Sequence, residues 1–228
     1  MLEPKAARGS DRVRGGLDVL LLRHAPTSWN DQQRRQGWAD EPLTDDGRQA
    51  AQAWAAGSHV AFAAVLSSDL RRARETATLV AAGLGLAAVQ ALPGLREQDQ
   101  GAWTGLTKEQ IKRRWPDRLR ERPRRPVDGE PPDVVLDRVL ATLGWLAAAQ
   151  PGCRVLAITH SEVIRILERA LKVAAPPVPH LEGRWLGVAS RGGDTEPSLG
   201  SVRAGNFTAG RARLTDGECA APASSARR

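Results

Sequence analysis

Leu20-Leu-Leu-Arg-His-Ala-Pro-Thr-Ser-Trp-Asn30 decides how this chain is read. An apolar run, Val19 to Leu22, leads straight into Arg23 and His24, and Thr27 and Asn30 follow closely. A buried strand ending in a cation and an imidazole delivers both to one edge of a sheet. In open α/β sheets ligands bind at that edge, beyond the carboxyl ends of the strands. A guanidinium forks two donors onto an anion, and an imidazole serves as base, nucleophile or ligand. Phosphate chemistry is the first expectation.

Outward from this stretch, strand and helix signals alternate. Leu17 to Arg23 reads as a strand apolar on both faces, as parallel sheets require. Thr44 caps a helix running to about Gly57, with Asp45 and Asp46 in its favourable first turn. Ala61 to Leu66 is a short strand, and Ser67-Ser68-Asp69 opens a helix that Gly83 and Gly85 stop. Ala87 to Leu92 is a further strand candidate, and Thr107 caps a short basic helix reaching Trp115. Asp133 to Ala149 places Leu136, Val139, Leu140, Leu143 and Leu146 on a helical period. Arg154 to Thr159 is an apolar strand ending in His160, and Ser161 starts another helix. Arg184 to Ser190 and Val202 to Leu214 read as edge strands of a hairpin. This alternation argues for α/β architecture with a largely parallel sheet.

Composition narrows the class. A chain of 228 residues holds one good core, so a single domain over 17–214 is expected, with a flexible extension over 1–16 and a disordered tail over 215–228. No apolar run approaches a membrane span, and the charged N-terminus lacks the apolar core of a secretory signal. Cys153 and Cys219 are the only cysteines and make neither a disulfide framework nor a zinc site. A cytoplasmic protein fits best. The formal charge of +7 raises nucleic acid as a partner. The arginines lack interleaved aromatics, however, and the bias toward Ala, Arg, Gly and Pro looks like genomic base composition, so nucleic acid is disfavoured.

Chemically capable residues recur at the same topological place. His24 and His160 each follow a strand, Arg72 lies one turn into the helix after a third, and Glu97 follows the fourth strand candidate. If these strands are neighbours, two imidazoles, two guanidiniums and one carboxylate surround one hollow. A neutral imidazole held at one nitrogen attacks phosphorus with the other. Forked arginines stabilise charge on the equatorial oxygens of the transferring group. A carboxylic acid protonates the leaving alkoxide, and the carboxylate then takes a proton from water. This set needs neither metal nor cofactor. Helix N-termini at Ser68 and Ser161 add their dipoles.

These residues resemble the histidine phosphatase superfamily, the phosphoglycerate mutase-like group marked by Arg-His-Gly-x-Thr-x-x-Asn. The likeness covers about residues 17 to 172. It implies a three-layer α/β/α domain with a mostly parallel central sheet. By resemblance His24 is the phosphorylated histidine and Glu97 the proton donor. Arg23, Asn30, Arg72 and His160 form the phosphate pocket, and Thr27, Gln36, Gly37 and Ser161 are further substrate contacts. Gln36-Gly37-Trp38, Pro42-Leu43-Thr44 and Gly47 also fall where the family's second loop and helix begin. Three departures stand out. Ala25 replaces the usual glycine, placing a Cβ near the phosphate. Gln98 stands where an apolar residue is common. Thr159-His-Ser-Glu162 replaces Ser-His-Gly-Gly, and Glu162 either discourages dianionic substrates or orients His160.

Arg71 and Arg74 flank Arg72, but the Arg72-Ala73 pair resembles the family motif and marks Arg72 as inward. Glu97 sits close to Asp99, and Leu95 two places ahead favours Glu97. His59 and His180 are expected at the surface, and Trp103 in packing. Lys112 to Arg125 carries eight basic side chains against Asp117 and Glu121. That segment, within a variable stretch over 107–132, is equally well a cationic cover that concentrates anions or a solvated loop. The expected activity is hydrolysis of a small phosphate ester by a monomer or homodimer. A mutase is the alternative, but only about sixty residues separate Glu97 from His160, whereas mutases carry a longer shielding insertion. A non-catalytic phospholigand-binding protein is the second alternative.

Overall fold

The computed structural model describes residues 16–86, 89–118, 120, 125–189 and 202–205. The expected tail and nearly all of the expected N-terminal extension lie outside these residues, as does Cys219.

The central strand β1 (Leu17–Arg23) forms because its side chains alternate between two cores. Leu17, Val19 and Leu21 point into one apolar cluster, and Leu20 and Leu22 into the other. That two-faced burial is the reason for its near-continuous apolar run. Strand β2 is Ala64–Ser67, β3 Val89–Ala91, β4 Arg154–Thr159, β5 Gly183–Val188 and β6 Val202–Gly205. They form one sheet in the order β3-β2-β4-β1-β5-β6. Strands β3, β2, β4 and β1 run parallel, and β5 and β6 add antiparallel pairs at the β1 side. The mostly parallel sheet expected from sequence is therefore present.

Helices cover both faces. The turn α1 (Ser28–Asp31) follows β1, and α2 is Asp45–Gly57 and α3 Arg71–Gly83. Ala51 and Ala55 of α2 pack with Ala73, Ala77 and Val80 of α3 against Leu20, Leu22, Leu156 and Ile158. Alanine at these positions lets the helices lie close to the sheet. On the opposite face, α5 (Pro132–Ala149) and α6 (Ser161–Ala170) bring Leu143, Leu146, Val163 and Leu167 onto Val19, Leu21, Val155 and Ala157. The short α4 (Lys108–Arg114) is held by a capping box between Thr107 and Gln110.

Boundaries shift where side chains are otherwise engaged. The expected helix start at Ser67–Asp69 moves to Arg71, because Arg96 takes both oxygens of Asp69, at 2.7 and 2.6 Å. Ser68 is drawn to β4, donating its backbone N–H to the Ile158 carbonyl. The second edge strand ends at Gly205, and the rest of its expected span lies outside the described residues. Just beyond the basic segment the chain is held by Val127 and Glu130, whose backbone groups bond Ala102 and Asp99. Residues 119 and 121–124 of that segment lie outside the described residues. Among the described residues no helix is long and apolar enough to cross a membrane.

Candidate active site

Parallel pairing of β1 with β4 sets Arg23 opposite Thr159. The next residues of both strands, His24 and His160, therefore emerge side by side at the carboxyl edge. The His24 backbone N–H continues the ladder, donating to the Thr159 carbonyl at 3.0 Å. Their ring centroids are 5.2 Å apart, inclined by 56°. Both are buried, at 3% and 0% exposure. His24 Nδ1 lies 2.7 Å from the Ala25 carbonyl. A carbonyl only accepts, so Nδ1 carries the proton and Nε2 keeps its lone pair. Burial and the charge of Arg72 hold both imidazoles well below their ordinary pKa, with Arg23 adding to the effect. Both are neutral near pH 7.

Arg72, 1% exposed, points inward from α3 as expected. Its Nη1 donates to the Ala39 carbonyl and its Nη2 to the Gly37 carbonyl, both at 2.8 Å. Burial pushes its pKa down to about 10, opposed chiefly by Glu97, and the group stays cationic. Arg23 donates from Nη1 to the Val178 carbonyl at 2.8 Å. The Nε–H groups of both arginines and both ring nitrogens of His160 are buried without a hydrogen-bond partner among the described residues. Buried donors of this kind are costly unless an acceptor serves them.

The loop after His24 is tightly fixed. Thr76 Oγ1 donates to the Arg72 carbonyl and accepts from the Ala25 N–H, at 2.7 and 3.1 Å, tying α3 to the loop. The Ala25 methyl belongs to the apolar core, so the side chain replacing glycine is absorbed by packing. Asn30 Oδ1 accepts from the backbone N–H and the hydroxyl of buried Thr27, leaving its NH2 end for other partners. Gly37 has a positive φ of 50°, and a Cβ there would come within 2.8 Å of the Gln100 nitrogen. Its neighbour Gln36 is buried, and its Oε1 has no hydrogen-bond partner among the described residues.

Glu97 is half-buried in the segment after β3. Burial raises its pKa, Glu162 raises it further, and Arg72 opposes both. Its Oε1 accepts from the Gln98 N–H at 3.0 Å, and its Oε2 from the Glu162 N–H at a long 3.5 Å. Among the described residues neither nitrogen of His160 has a hydrogen-bond partner, so Glu162 makes no bond that orients that ring. Glu162 pairs instead with Arg169 and Arg165, at 2.8 and 3.5 Å. Gln98, the unexpected amide, donates to the Glu130 carbonyl at 2.7 Å.

Three residues at this site were given no role from the sequence, although Trp38 stands in a stretch that resembles the family's second loop. Arg138 of α5 donates to the carbonyls of Gly94, Arg96 and Glu97 and forks onto the Glu130 carboxylate, all within 2.8 to 3.1 Å. Trp38 Nε1 donates to the same Glu97 carbonyl at 2.8 Å. His180, expected at the surface, is half-buried with its ring 5.6 Å from that of His24. The other expectations hold: His59 is exposed and Trp103 is buried. Ser161 begins α6, whose N-terminus opens beside His160. A cleft of about 150 Å³ is lined in part by Arg35, Gln98, Gln100, Glu162, Arg165 and Arg169, and two of these, Gln98 and Glu162, donate their backbone N–H groups to the Glu97 carboxylate.

Comparison with known proteins agrees with this geometry. The family model of the histidine phosphatase superfamily (branch 1) matches residues 19–183. Phosphoglycerate mutase-like protein 4 of Arabidopsis thaliana is 36% identical over 162 residues, covering 67% of this chain and 70% of that protein. The metal-independent phosphoserine phosphatase of the same plant is 31% identical over 165 residues, 66% of either chain. A mycobacterial glucosyl-3-phosphoglycerate phosphatase solved with VO3 superposes with a TM-score of 0.67 at 30% identity, covering 75% of this chain and 92% of that one.

Proposed function

The chain belongs to the histidine phosphatase superfamily, branch 1, and on that premise we propose that it hydrolyses a small phosphate monoester through a phosphohistidine on His24. The observation that carries this reading is the 5.2 Å separation of the two buried imidazoles beside the Nε–H groups of Arg23 and Arg72, which have no hydrogen-bond partner among the described residues. Nε2 of neutral His24 attacks phosphorus, and the leaving oxygen takes the proton of Glu97. Arg23, Arg72, His160 and the Asn30 amide hold the phosphoryl oxygens, where charge develops. Water, deprotonated by the Glu97 carboxylate, then releases inorganic phosphate and restores both residues.

Burial and the like charge of Glu162 suit Glu97 to donation, because both keep it protonated to higher pH than a free carboxyl. The cleft bounded by Gln98 and Glu162, whose backbone N–H groups bond the Glu97 carboxylate, takes the leaving group, and its guanidinium and amide lining favours a polar, hydrogen-bonding alcohol. The donor set serves the phosphoryl oxygens without a metal, in keeping with the name of the plant phosphoserine phosphatase it resembles. VO3, bound by the mycobacterial relative, has the trigonal shape of a phosphoryl group in transfer. Hydrolysis is preferred over mutase transfer because the span between Glu97 and His160 is short.

The test is a panel of phosphate esters assayed in the presence of chelator, with released phosphate and isomerised product measured separately. Release of phosphate that survives chelation is expected. Isomerised product without net release would make the protein a mutase, and binding without either would make it a phospholigand-binding protein.

A further inference from the structure

Resting on the phosphohistidine reading above, we infer that His180 is a direct ligand of the phosphoryl group, a third imidazole that donates a hydrogen bond to its oxygens beside His24. Nothing in the sequence around Pro179-His180-Leu181 marks it. Backbone pairing puts it there. Strands β1 and β5 are antiparallel with Leu22 opposite Gly183, and their pairing runs on past the strand ends. The Arg23 N–H donates to the Glu182 carbonyl, and the Leu181 N–H to the Arg23 carbonyl, both at 3.0 Å. One residue further along each chain, His180 meets His24. Arg23 also clamps this loop from its side chain, through Nη1 on the Val178 carbonyl.

The result is a nucleophile flanked by two imidazoles at nearly equal distance, 5.2 Å for His160 and 5.6 Å for His180. His180 Nε2 is buried and has no hydrogen-bond partner among the described residues. The same is true of Nε in Arg23, Nε in Arg72 and both nitrogens of His160. These groups gather around one ring, and a phosphoryl group has three oxygens to serve them. His180 differs from the arginines in charge. Burial, and then the charge of Arg23, lower its pKa to about 4, so near pH 7 it donates as a neutral group.

The competing role is packing, in which the ring only fills space against His24. Two substitutions separate the roles. His180→Phe keeps a flat ring and removes the donor, whereas His180→Gln sets an amide N–H near the position of Nε2. The probe is inorganic phosphate as a competitive inhibitor, with kcat/KM measured on an alkyl phosphate and on a dinitrophenyl phosphate. A hydrogen bond to a charged acceptor predicts that His180→Phe raises the phosphate inhibition constant roughly tenfold. It also predicts a comparable loss of kcat/KM on both esters, since a phosphoryl ligand acts whatever the leaving group. His180→Gln should recover most of either loss. Wild-type behaviour in His180→Phe, or equal impairment of the two variants, would overturn the assignment. His24→Ala is the parallel control: turnover surviving that change sinks the phosphohistidine reading itself, whereas an inactive His24→Ala beside a fully active His180→Phe removes only the role given to His180.

Discussion

Arg23 and Thr159 stand opposite each other in the β1–β4 ladder, and that single register places His24 and His160 ring beside ring. A slip of the pairing would separate them by a strand residue, about 3.3 Å. The chemistry thus depends on a register enforced by alternate burial of Leu20, Leu21 and Leu22 on the two faces of the sheet.

Glu97 acts on the leaving group alone, so its loss should depend on what leaves. Glu97→Gln is expected to lower kcat about 10² to 10⁴-fold on an alkyl phosphate. On a dinitrophenyl phosphate, whose leaving group needs no proton, formation of the phosphoenzyme should change little. Burst kinetics on the two esters check this, and an equal loss of the burst rate on both would remove Glu97 from the donor role.

Arg138 holds the Glu97 segment by three of its backbone carbonyls. Arg138→Lys keeps the charge beside Glu130 but cannot span those acceptors. Misplacing a catalytic group by about 1 Å costs up to about 10²-fold. The expected loss is therefore as large as 10²-fold on alkyl phosphates and much smaller on dinitrophenyl phosphate. Steady-state and burst rates on both esters measure it.

Activity should have an acidic optimum, with the sign set by two shifts. His24 loses its proton well below the ordinary imidazole range, so the nucleophile stays competent as pH falls below 6.5. The raised Glu97 pKa keeps the donor protonated above the usual carboxyl value of 4.5, and activity falls as pH climbs past it. Glu162→Gln removes the like charge that raises Glu97, and it frees Arg165 and Arg169. The alkaline limb for an alkyl phosphate should then move to lower pH. A pH–rate profile of kcat/KM decides the direction.

Thr76 is a structural pin with a functional reach, since it bonds Arg72 on one side and Ala25 on the other. Thr76→Val keeps the shape and leaves the buried Ala25 N–H without a partner. The expected cost is about 1–3 kcal/mol of stability, read by urea denaturation, with a weaker affinity for inorganic phosphate.

What the sequence reveals and what it hides follow from range. The strands β1 and β4 and their terminal histidines are legible because a two-faced apolar run and its last residue are neighbours in the chain. Arg72 and Glu97 are legible by the same local logic and by the family resemblance. His180 is not, because its place depends on pairing between β1 and a strand more than 150 residues away in sequence. Arg138 reads as one more polar residue on an amphipathic helix, since its partners are backbone carbonyls 41 to 44 residues away. Ser67 to Asp69 reads as a helix start, yet the helix begins at Arg71 for a related reason: Arg96, from another segment, takes the Asp69 side chain.

The central claim is a covalent phosphorus–nitrogen bond on His24. The most direct measurement is an alkaline quench of the enzyme turning over a labelled phosphate ester, followed by mapping of the label. The account predicts acid-labile, base-stable label on the peptide that carries His24, absent from His24→Ala. Rapid turnover with no label on that peptide, or undiminished label in His24→Ala, would contradict it.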